Sequence, residues 1–184
     1  MSINNSIFIK NVNDLIKNLG CAEIYVKRII DSFSDDIDLK DSINKCLEEF
    51  ENLRKLPDHV QGRVNKIKLE ISNKSDYISL FDCVCEILFN YSDNEILKEE
   101  ISHISEKIND IRANNYNILS IIDKIEKDLE DCPIKEHFKD ETNFIFYEYS
   151  IDSKSRYKEL LRLISGYLDG INAISEAQNK LLIL

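Results

Sequence analysis

Residues 97–132 read LKEEISHISEKINDIRANNYNILSIIDKIEKDLEDC, and the spacing of their apolar side chains decides the fold. Leu97, Ile101, Ile104, Ile108, Ile111, Ile118, Ile122, Ile125, Leu129 and Cys132 follow one another in steps of four and three, with Asn115 as the one polar member of the series. A repeat averaging about 3.5 residues keeps a stripe on one side of an α-helix along its whole length, and such a stripe needs a partner. Outward positions such as Glu95, Glu99, Ser102, Glu106, Asp110 and Lys127 are polar, so the helix is amphipathic and not simply greasy. Asparagine is a poor helix former, yet the phase passes through Asn114–Asn117 without a slip. That predicts one continuous helix over 94–131.

The seam does not suit a parallel two-stranded coil. Dimers prefer Ile at a and Leu at d, whereas Ile fills both here, and a parallel pair sets Lys107 against Arg112. Leu119 and Ile121 widen the stripe on its flanks, which fits a helix in a bundle or one that offers its free side to another protein. Ile118, Leu119, Ile121, Ile122 and Ile125 are therefore the candidate interaction residues. Asn115 is the candidate register residue: it either meets a polar group on the last helix, with Gln178 as the expected answer, or marks a fold-back of the ladder.

Helical spacing extends to both flanks. Ile7–Leu19 and Ala22–Phe33 read as two helices divided at Gly20, and Leu39–Leu53 as a third that ends before Pro57. A fourth runs from Asp58 to Ile71 through Gly62, and a fifth, apolar almost all round, from Ser75 to Asn90. Asn90–Asn94 is a loop and cap. Beyond Pro133, residues 134–152 form a connector with a short helix or loop, and a last long helix begins at Ser153. The expected fold is all-α, a helical bundle whose two long C-terminal helices pack as an antiparallel coiled-coil-like pair. The expected division is an N-terminal bundle over 1–92 and a long-helix half over 93–184.

Composition supports this class. In 184 residues there are only 4 Gly and 2 Pro, too few for the turns of an all-β fold. The formal net charge of -10 opposes direct nucleic-acid binding, which rests on cations displacing counterions from phosphate. No run approaches the ~18 consecutive apolar residues of a membrane span, so no membrane partner is expected. Cys21, Cys46, Cys83, Cys85 and Cys132 occur without a signal-peptide pattern at the N-terminus, which points to a reducing, cytoplasmic setting.

Few residues carry recognisable chemistry. Cys83 and Cys85 lie two apart, on different faces of a helix, and do not suit a shared tetrahedral ion. Asp35, Asp36, Asp38 and Asp41 lack the Gly and terminal Glu of an EF-hand loop and read as helix-capping acids. Arg63, Lys66, Lys68 and Lys74 form a mildly basic stretch without interleaved aromatics. No cofactor or metal is implied. Arg54-Lys-Leu-Pro-Asp-His59 has the R-x4-H spacing that resembles ribonucleases of the HEPN family, in which the Arg and His together handle a scissile phosphate. Lys55 and Pro57 depart from that pattern, and the plainer reading is Arg54 as a cation at a helix C-terminus and His59 in the next helix's first turn. The expected function is non-enzymatic: a protein-protein interaction or assembly subunit working through its C-terminal helices, by binding another protein or by self-association. The alternative is an acidic inhibitor of the immunity or antitoxin kind, covering a basic partner enzyme.

Overall fold

A computed structural model of the protein describes residues 11–33, 39–73, 77–149 and 152–183. Among them are seven helices and no strand: α1 (Val12–Ser32), α2 (Leu39–Glu51), α3 (Asp58–Ser72), α4 (Tyr77–Tyr91), α5 (Glu95–Asp128), α6 (Ile134–Glu148) and α7 (Ser153–Ile183). The fold is all-α. None of these helices is long and apolar enough to cross a membrane.

One helix boundary differs from the sequence expectation, and the connector after Pro133 takes the helical of its two expected forms. Gly20 does not divide α1, because Val12, Leu15, Leu19, Ala22, Val26 and Ile29 are all buried and keep steps of three and four through it. A glycine ends a helix by adopting a left-handed conformation, and no described glycine has positive φ. Ile7 and Phe8, expected in the first helix, lie outside the described residues, as do Asp35, Asp36, Asp38 and Lys74. The connector after Pro133 is largely helix, since Phe138, Thr142 and Ile145 fall on one buried face of α6.

The helix α5 is continuous through Asn114–Asn117. Its start is built as the sequence suggests: Asn94 Oδ1 accepts the Leu97 amide at 3.2 Å, and Ser92 Oγ accepts the Asn94 amide while donating to Glu49 Oε1 at 2.8 Å. Every apolar seam residue from Leu97 to Leu129 is buried.

The chain divides into two compact units that do not follow chain order. One comprises residues 34–113 and 149–153. In it α4 packs against both α2 and α3, and Phe50, Val64, Phe81, Leu88 and Ile108 share one core with the first half of the seam. Outside that core, Arg112 pairs with Asp82 and Arg63 with Glu86. Such exposed pairs are screened by solvent and contribute little to stability.

The other unit comprises residues 1–33, 114–148 and 154–184. Here α1 meets α5 through Tyr25–Asn117 and Asn18–Asp128 contacts, the numbers rising on one helix as they fall on the other. It meets α7 in the same sense, through Phe33–Tyr157 ring packing at 5.8 Å and Ser165–Glu23 hydrogen bonding at 2.8 Å. α1 is thus antiparallel to both, and within this unit α5 and α7 point the same way instead of opposing each other. The cause is α6, which follows α5 in sequence and takes the antiparallel place beside α7. Phe138–Tyr167 and Phe146–Arg156 contacts show that direction.

Candidate interaction surface

The expected anchors separate by burial. Ile118, Ile122 and Ile125 are inside the second unit and are not available to a partner, while Ile121 is half-buried and Leu119 is 47% exposed. The ladder residues C-terminal to Asn115 are therefore internal. Asn115 is half-buried, and its Oδ1 accepts a hydrogen bond from Tyr157 Oη at 2.7 Å, so the last helix does answer it, through Tyr157 and not Gln178.

An open groove of this unit lies between α6 and α7. On α7, Tyr157, Leu160, Ile164 and Ile171 face the core. Leu163, Gly166, Gly170 and Ile174 share another side and line an open groove of about 430 Å³, whose α6 wall carries Ile134, His137 and Glu141. Tyr167 also lines the groove and packs edge-to-face on buried Phe138 at 5.1 Å. Tyr167 Oη donates to Glu141 Oε2 at 3.1 Å, and His137 Nε2 lies 3.4 Å from Glu141 Oε1. Partial burial, then the Glu141 charge, pushes the Tyr167 phenol up, so it is held as a neutral donor. The groove therefore offers apolar side chains, a linked His137–Glu141–Tyr167 set and Arg162, which pairs with Glu159 outside the lining.

Two glycines four residues apart inside a helix need a reason, since each costs about 1 kcal/mol relative to alanine. Packing among the described residues supplies none: a Cβ on Gly166 or Gly170 meets nothing within 4 Å there. Toward its end the same helix leaves Leu181 and Leu182 71% and 84% exposed, and α6 exposes Phe144 and Tyr147. These residues were not among the expected contacts, although the Gly-x-x-x-Gly spacing inside a helical pattern was a visible signal.

The first unit carries a different concavity, of about 290 Å³, lined by Glu48, Glu49, Glu100, Lys45 and Asn52 among others. It is polar and predominantly acidic. Burial, then the neighbouring Cys85, Glu100 and Glu49, pushes the Cys46 thiol up to about 12. Cys85 is pushed up to about 11, again chiefly by burial. Both are protonated and unreactive near neutrality.

The remaining candidates have structural placements. Arg54 Nη1 donates to the Leu53 and Glu51 carbonyls at 3.0 and 3.4 Å, closing the C-terminal end of α2, and His59 is exposed in the first turn of α3. Cys83 is half-buried beside buried Cys85. Among the described residues no three His, Cys, Asp or Glu side chains form a group that could hold a metal ion. Lys68 lies 3.7 Å from Glu51, and Arg63 is paired with Glu86. No family model, curated protein or solved structure matches the chain.

Proposed function

We propose that this protein is a non-catalytic interaction or assembly subunit, and that it binds another protein through the α6–α7 groove and the apolar end of α7. One observation carries the reading: Gly166 and Gly170 border a largely apolar groove where, among the described residues, nothing occupies the space their missing side chains leave. Bare helix backbone beside exposed Ile174 and Leu181 suits the close approach of another helix, because small residues let two helix backbones come together. Five free thiols, two of them fully buried, suit a reducing cytoplasmic setting.

The test is comparative affinity capture from the native cell with the wild-type chain and an Ile174→Lys, Leu181→Lys variant, beside light-scattering mass measurement of both. A partner or self-association lost in the variant, with its thermal melt unchanged, supports the reading. Identical retained proteins and identical mass for both chains sink it.

The acidic concavity of the first unit favours a second reading, an inhibitor that covers a basic enzyme surface. Binding of that kind weakens steeply as salt rises and is lost on Glu49→Lys, Glu100→Lys while surviving the α7 substitutions.

A further inference from the structure

We draw no further inference here: the strongest candidate, the open groove between α6 and α7 bordered by Gly166 and Gly170, belongs to the surface already described, and nothing in the structure shows whether a second copy or a different protein covers it.

Discussion

Tyr157 Oη donates a 2.7 Å hydrogen bond to Asn115 Oδ1, joining the last helix to the single polar residue of the seam. Tyr157 is fully buried, packed on Phe33 and held well above its ordinary pKa, chiefly by burial. Removing one partner leaves the other short of a bond in a poorly solvated site. Tyr157→Phe should cost about 1–2 kcal/mol in urea unfolding. Combined with Asn115→Leu, it should cost less than the sum of the two single substitutions, giving a coupling of at least ~0.5 kcal/mol. Additive losses would show that the bond contributes nothing to register.

Burial separates neighbours on α5. Ile125 is completely buried and Leu119 is not. Ile125→Ala should lower stability by about 2–5 kcal/mol. Leu119→Lys should stay within ~0.5 kcal/mol of the wild type. Equal effects in denaturant melts would overturn the burial pattern of this helix.

Four glycines sit inside helices, each with open space where a Cβ would be. Gly20→Ala and Gly62→Ala should each raise stability by about 0.5–1 kcal/mol, through helix propensity and a less flexible unfolded chain. Gly166→Ala and Gly170→Ala should stabilise the free chain by a similar amount yet weaken association through α7. Calorimetry and a binding titration on the same proteins read the two opposite signs.

The buried thiols set an alkaline limit. Cys46 and Cys85 rise from an ordinary 9.0 to about 12 and about 11 in the folded chain. An unfolded chain releases these protons first, so above pH ~9 it binds fewer than the native state and stability falls. The contribution is complete below 9.0 and lost as pH climbs toward 11–12. Cys46→Ala, Cys85→Ala should flatten that alkaline decline, as followed by the denaturation midpoint across pH 8–11. At neutral pH, exposed Cys21 should react with a thiol reagent well before either buried thiol.

Much of the fold was legible because local periodicity and tertiary packing agree along α5, where every apolar step from Leu97 to Ile125 lands on a buried residue and only Asn115 is half-buried. Gly20 misled for a definable reason. Its own propensity is poor, but Leu15, Leu19, Ala22 and Val26 bury a continuous stripe whose packing outweighs a penalty of about 1 kcal/mol. The aromatic run Asn143–Tyr149 has strand-like composition, and only the burial of Phe138, Thr142 and Ile145 on one face decides for helix. Long-range pairing was the least legible. Tyr157 and Gln178 are both polar-tipped residues on the same helix, and which one reaches Asn115 depends on chain direction, which the hidden helix α6 sets. Ile118 and Ile122 look like docking positions in the sequence for a similar reason, because their burial depends on packing that helical spacing alone does not specify.

The second unit draws on residues 1–33 and on residues that follow 113. During synthesis α1 therefore leaves the ribosome long before the helices that bury Leu15, Leu19 and Val26 exist. At about 5–20 residues per second the wait is on the order of ten seconds. Residues 34–113, almost the whole of the other unit, emerge in that interval and are able to fold first. Through that interval the apolar stripe of α1 is without the α5 and α7 residues that it meets in the folded chain, so this unit closes only once both ends of the chain are present.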